Sequence, residues 1–226
     1  MTSMDEMDKK ALYFMKDITK LVDSTDNKIK MGEICLSYAI KEYFLYGSQK
    51  ELLEEIISLG WDKSEKISKD ININSFNNND NNNYLDDIDG KLSSLIDKST
   101  LDHGEKFLTL MSASIGLLQK FGANKEHVIN YSMRQYEVYE AYTLMQEFSI
   151  EELFAIRRFA DVGHPWFISN SPEYTAFEAA YDNKLKESGL STSGLSKKVG
   201  LEKTPDIDKL LAKTIHSNFV KDIDLN

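Results

Sequence analysis

Over most of its 226 residues this chain repeats apolar side chains three and four positions apart, and no stretch shows convincing alternation at every second position. Spacings of three and four line up one stripe of an α-helix, whereas a half-buried strand needs a period of two. Met4, Met7, Ala11, Phe14, Met15, Ile18, Leu21 and Val22 form the first stripe, with Lys and Asp opposite. Residues 28–46 are apolar on nearly all sides, through Ile34, Leu36, Tyr38, Ile40, Tyr43, Phe44 and Leu45, as befits a central helix. The pattern predicts an all-α protein.

Punctuation supports that reading. Ser48 and Glu51 have capping-box spacing before Leu52, Leu53, Ile56 and Ile57, and Gly60 is placed to end that helix. Ile88, Leu92, Leu95 and Ile96 make a short helix. Asp102 and Glu105 cap a longer one through Phe107, Met111, Ile115 and Leu118, with Gly122 as its stop. A further helix starts near Asn124 and carries Val128, Ser132, Tyr136, Tyr139, Tyr142 and Met145. Ser149 and Glu152 form another capping box, with Phe148 and Leu153 placed as a hydrophobic staple. That helix is expected to end around Gly163 and Pro165. Ser171-Pro172-Glu173 opens the next, with Tyr174, Phe177, Tyr181 and Leu185 inward, and Thr204-Pro205 opens a last one.

One interruption organises the rest. Asn77-Asn78-Asn79-Asp80-Asn81-Asn82-Asn83 contains no apolar side chain to repay the entropy of ordering it, and asparagine is a poor helix former. The expectation is a helical bundle of about eight to nine helices in two blocks joined by an Asn-rich loop. The N-terminal block covers 1–70, the Asn-rich linker 71–84, the C-terminal bundle 85–188, a Ser/Gly/Lys linker 189–204 and a C-terminal helix 205–226.

Composition narrows function more than it defines it. A formal net charge of -10 argues against a nucleic-acid binder, which must bring a basic face to a polyanion. The single Cys35, in an apolar run, excludes an internal disulfide and reads as a buried thiol in a reducing compartment. The start lacks the basic residues and continuous apolar core of a secretory signal, and no run approaches the roughly 18 apolar residues of a bilayer span. A soluble, intracellular (cytoplasmic) protein is expected, with no membrane and no nucleic acid among its partners.

The search for chemistry yields no catalytic residues, no cofactor and no metal site. His103, His127, His164 and His216 lie outside any zinc motif, and Asp161 with His164 has metal-ligand spacing only once, at a helix end. Asp86, Asp87, Asp89 and Gly90 resemble part of a calcium loop, but that register puts Leu85 and Ile96 at ligand positions. One constellation has the chemistry of an interaction hot spot or anion site: Arg157 and Arg158 beside His164, Trp166 and Phe167. Burial of the two aromatics as a core plug, with the arginines in water, explains the same residues and is the more common outcome. The tyrosines Tyr136, Tyr139 and Tyr142 either line a pocket or pack with their hydroxyls at a rim.

Around the stapled turn, Tyr139-Glu140-Ala141-Tyr142, Phe148 to Leu153, Phe159, Gly163 and Ser171-Pro172-Glu173 resemble an uncharacterised bacterial helical family, domain of unknown function 2059. The likeness covers about residues 126–188. Members typically carry a secretion signal and an aromatic-Tyr-x-Ser-Pro-x-Gly turn, from which Phe159-Ala160-Asp161-Val162-Gly163 departs here. The resemblance implies no activity.

The function expected is that of a non-enzymatic helical interaction protein, regulatory or assembling, whose partner is another protein or a second copy. One alternative is a helical enzyme or small-ligand binder with a pocket near Tyr136, Tyr139, Tyr142 and the 163–167 loop. A second is a phage or virus structural component, motivated by the Lys, Asn and Ile usage of AT-rich genomes.

Overall fold

The computed structural model describes residues 6–25, 27–68, 85–158, 167–192 and 194–195. All regular elements among them are helical: α1 (Glu6–Asp23), α2 (Lys28–Leu45), α3 (Lys50–Ser68), α4 (Leu85–Lys98), α5 (His103–Lys120), α6 (Lys125–Met145), α7 (Ile150–Arg158) and α8 (Pro172–Ser188). No strand occurs among the described residues. The Asn-rich segment 71–84 and the proposed C-terminal helix 205–226 lie outside them, as does most of the 189–204 linker.

The chain divides into two compact units, Met1–Tyr136 and Glu137–Asn226. That division falls inside α6 and not at the Asn tract. Helices α4 and α5, which follow the tract, pack on α1, α2 and α3, which precede it. The physical reason lies in α2, whose apolar residues nearly encircle it and which needs cover from several sides. Met31, Cys35, Leu36, Ala39, Ile40 and Tyr43 are buried on α2, and Phe107, Leu110, Met111, Ile115 and Leu118 on α5. Burial pushes the Cys35 thiol up to about 12.

Two glycines let these helices close up. A Cβ on Gly32 would stand 2.8 Å from Leu118 Cγ, and one on Gly60 would stand 2.9 Å from Ile115 Cδ1. This corrects the expectation that Gly60 ends its helix. Helix α3 runs on to Ser68, and the glycine serves close packing against α5. The first part of α6 is tied into the same unit: Lys125 Nζ bonds Asp62 at 2.9 Å and Gln135 Oε1 accepts from Ser37 at 3.1 Å.

The capping boxes expected at Asp102 and Ser149 form, whereas the one expected at Ser48 and Glu51 is not among the hydrogen bonds of the described residues and α3 opens at Lys50. Asp102 accepts from Glu105 N–H at 2.8 Å while Glu105 accepts from Asp102 N–H at 2.9 Å. Ser149 and Glu152 make the same reciprocal pair at 3.2 and 2.8 Å, and the staple residues Phe148 and Leu153 share the core of the second unit. Ser171 accepts from Tyr174 N–H at 3.0 Å, Pro172 opens α8, and Gly189 closes it at φ 64°. Phe177, Ala180 and Tyr181 of α8 pack with Phe154 and Ile156 of α7 and Met145 of α6. The Lys184 ammonium then donates to the Gln146 and Phe148 carbonyls, capping the turn after α6.

Candidate interaction surface

Of the residues singled out from sequence, Arg157, Arg158 and Phe167 lie among the described residues, while His164 and Trp166 lie outside them. The described three serve the second unit's own packing. Arg157 donates to Glu178 at 3.1 Å, and its guanidinium stands 4.7 Å from the centre of the Tyr181 ring. That side chain clamps α7 onto α8 by charge and by ring contact. Arg158 lies over Phe154 of its own helix at 5.9 Å. Phe167 is half-buried and meets Phe177 edge-on, with centroids 5.3 Å apart.

The tyrosines of α6 are likewise occupied. Tyr136 is buried in the first unit, edge-on to Phe44 at 5.4 Å, and its hydroxyl donates to the Ser48 carbonyl at 3.1 Å. Tyr142, in the second unit, accepts from Asn183 Nδ2 at 3.0 Å. Packing with hydroxyls at a rim, the second reading offered by sequence, describes both.

A surface that the sequence did not disclose stands at the α2–α3 corner. Helix α2 ends in a Schellman arrangement: Gly47 N–H donates to Phe44 O at 3.0 Å and Ser48 N–H to Tyr43 O at 3.4 Å. The motif needs a left-handed residue, and Gly47 supplies φ 78° without a Cβ clash. The next two carbonyls are claimed from the core. Tyr136 holds Ser48, as described, and the Tyr43 hydroxyl donates to Gln49 O at 2.8 Å. Burial raises the Tyr43 phenol above its ordinary range, against a bond with Ser48 and with help from Glu51, so the hydroxyl keeps the proton it donates.

Beneath this corner, the buried carboxylate of Glu42 meets His103 Nδ1 at 2.5 Å, joining the last turn of α2 to the first turn of α5. Tyr46 follows Glu42 by one turn and lays its ring over Gly104, where a Cβ would come within 3.2 Å of Tyr46 Cε2. Both partners of the corner are thus fixed before anything binds.

Eight large apolar side chains are exposed among the described residues, and four of them belong to the segments that meet at this corner: Leu45 at 51%, Tyr46 at 64%, Leu52 at 47% and Leu108 at 61%. Leu45, Tyr46 and Leu52 bracket the pinned turn, and Leu108 stands one turn beyond Gly104 on α5. Exposure of several such side chains on adjoining segments marks an interaction site more than scattered exposure does. Glu51, Glu54, Glu55 and Asp102 are exposed around it. Sequence read Leu45 as part of a helix apolar on nearly all sides and Leu52 as one of the apolar residues of the next helix; α2 and α3 leave these two exposed and bury Leu36, Leu53 and Ile57.

Comparison of the chain with family models, curated proteins and solved structures gave no match. Among the described residues no group of three or more His, Cys, Asp or Glu is placed to hold a metal ion, and no helix is long and apolar enough to cross a membrane.

Proposed function

We propose that this protein is a non-enzymatic intracellular interaction protein, regulatory or assembling, that docks a basic amphipathic helix of a partner protein on the α2–α3 corner. The observation that carries the reading is an apolar cluster mounted on a pinned backbone. Leu45, Tyr46, Leu52 and Leu108 are in water, while the turn that presents them is held by Tyr43, Tyr136 and the Glu42–His103 contact. A surface already ordered pays little entropy on binding, so its apolar area converts more fully into affinity. Exposed tyrosine is also a residue type enriched among interface hot spots. The carboxylates at the rim, on a chain of net charge -10, favour a partner with lysines and arginines beside its apolar stripe.

The test is affinity capture from the source cell with the whole chain, with a chain truncated at Gly189, and with a Tyr46→Ala/Leu108→Ser variant. The expected result is a partner bearing a basic amphipathic helix, released by moderate salt, retained by the truncated chain and lost from the corner variant. Leu12→Ser, an exposed apolar change on α1, should leave capture intact. Equal capture by wild type and corner variant would refute the proposal.

A further inference from the structure

The Glu42–His103 contact does more than join α2 to α5. Glu42 is 4% exposed, whereas 49% of the His103 side chain is open to solvent. Two lone pairs cannot face each other at 2.5 Å, so a proton lies between Glu42 Oε2 and His103 Nδ1. Imidazole is the stronger base of these two kinds of group, which puts that proton on Nδ1. A neutral imidazole with Nδ1–H has an open lone pair on Nε2. That nitrogen, on the far edge of the ring, has no protein partner among the described residues.

The acceptor stands at the edge of the exposed corner. Glu42 and Tyr46 lie one turn apart on α2 and meet successive residues of α5, Glu42 touching His103 and Tyr46 lying over Gly104. The imidazole therefore borders the Tyr46 ring. Asp102 and Glu105, its acidic neighbours in sequence, are held in the reciprocal cap of α5. His127 on α6 lacks this arrangement: its Nε2 is 3.5 Å from Glu33, a half-buried carboxylate that Lys30 also bonds at 3.2 Å.

We infer that His103 is the polar contact of the docking corner, an inference that rests on the docking proposed above: its Nε2 accepts a hydrogen bond from a lysine ammonium of the bound helix. Glu42 is the positioning residue, keeping the proton on Nδ1 and the outward nitrogen open. An apolar surface alone selects its partners poorly. A helix that places an ammonium here satisfies the lone pair, whereas one that places an apolar side chain here strips it of water with nothing in return.

Nitrogen NMR of the full chain at pH 8 is expected to show His103 as the Nδ1–H tautomer. Glu42→Gln, whose amide can donate to Nδ1, should shift it to the Nε2–H form. A wild-type ring with a proton on Nε2 would overturn the assignment. Isothermal titration then compares a synthetic amphipathic helix of leucine and lysine with its trimethyl-lysine analogue, which keeps every charge but cannot donate from it. Trimethylation should weaken binding to wild type about fivefold more than binding to His103→Asn, whose amide replaces Nδ1 and leaves no acceptor beyond it. His127→Asn should behave as wild type. Binding unchanged by Tyr46→Ala/Leu108→Ser would overturn the docking itself. Binding that needs those two side chains, with an equal trimethylation loss in wild type and His103→Asn, would overturn the role of His103 alone.

Discussion

Adding one methyl group at Gly32 should destabilise the first unit, although glycine to alanine in a helix ordinarily does the opposite. In an unobstructed helix interior the substitution gains about 0.5–1 kcal/mol. At Gly32 the new Cβ would stand 2.8 Å from Leu118 Cγ, 2.9 Å from its Cδ2 and 3.6 Å from Leu117 Cβ. Relaxed carbon contacts fall at about 3.5–4.0 Å, so Leu118 must retreat by more than half an ångström. Its Cγ sits close to its own backbone and the side chain is 1% exposed, so it has little room to retreat. Overpacking of this kind costs about 1–3 kcal/mol, which outweighs the gain and leaves a net loss of about 1 kcal/mol. Gly90→Ala is the control, because nothing lies within 4 Å of its new Cβ. The two variants should differ by about 2 kcal/mol. Gly60→Ala meets a single atom, the terminal Cδ1 of the buried Ile115 at 2.9 Å, and should fall between Gly32→Ala and Gly90→Ala. Urea unfolding followed by Trp61 emission in a Trp166→Phe background reads the first unit. With a slope of about 1–3 kcal/mol per molar, the two midpoints should differ by about 1 M. A midpoint for Gly32→Ala equal to or above that of Gly90→Ala would refute the packing argument.

Three further outcomes follow from single side chains. Cys35, buried and raised to about 12, should resist a maleimide at pH 8 in the folded protein and react on unfolding; labelling at the rate of a free thiol would contradict its burial. The unfolded thiol ionises from about pH 9 and the folded one only near 12, so stability should fall across that window as pH rises, by at most about 1.4 kcal/mol per unit from this group. Tyr136→Phe frees the Ser48 carbonyl and should cost about 1 kcal/mol, with faster amide exchange at the α2–α3 turn, whereas Tyr181→Phe removes a buried hydroxyl that has no partner and should cost nothing. Ser149→Ala breaks the reciprocal cap of α7 and should lower stability by about 1 kcal/mol in a thermal melt, with little added loss when Glu152→Ala is combined with it.

What was legible in the sequence is what is decided within a few residues. The capping boxes at Asp102 and Ser149, the Ser171-Pro172 start and the stop at Gly122 read correctly, because each bonds groups three to five positions apart. Helix identity followed from the same short-range stripe. Gly60 was misread for a reason that marks the boundary of such reasoning: a glycine that ends a helix and a glycine that admits a neighbour look alike until the neighbour, Ile115, is known. The separation into blocks met the same boundary. An apolar helix announces that it needs cover, but α2 does not announce that α5, beyond the Asn tract, provides it.

The candidate surface was invisible for a further reason, since it is defined by what the fold fails to bury. Leu45 and Leu52 carry the same side chain as the buried Leu36 and Leu53, and only the direction from which α5 arrives separates them. Its supports are equally remote in sequence: Tyr136 reaches Ser48 across 88 positions, and His103 reaches Glu42 across 61. Both contacts are costly to arrange, because burying a carboxylate or a phenol demands a partner in the right place. Glu42 and Tyr136 secure those partners at the corner where four large apolar side chains are left in water. A chain that needed only stability could have buried leucines there in place of a carboxylate and a hydroxyl. Polar groups that fix an exposed apolar turn in one shape are what the proposed docking of a partner there would require.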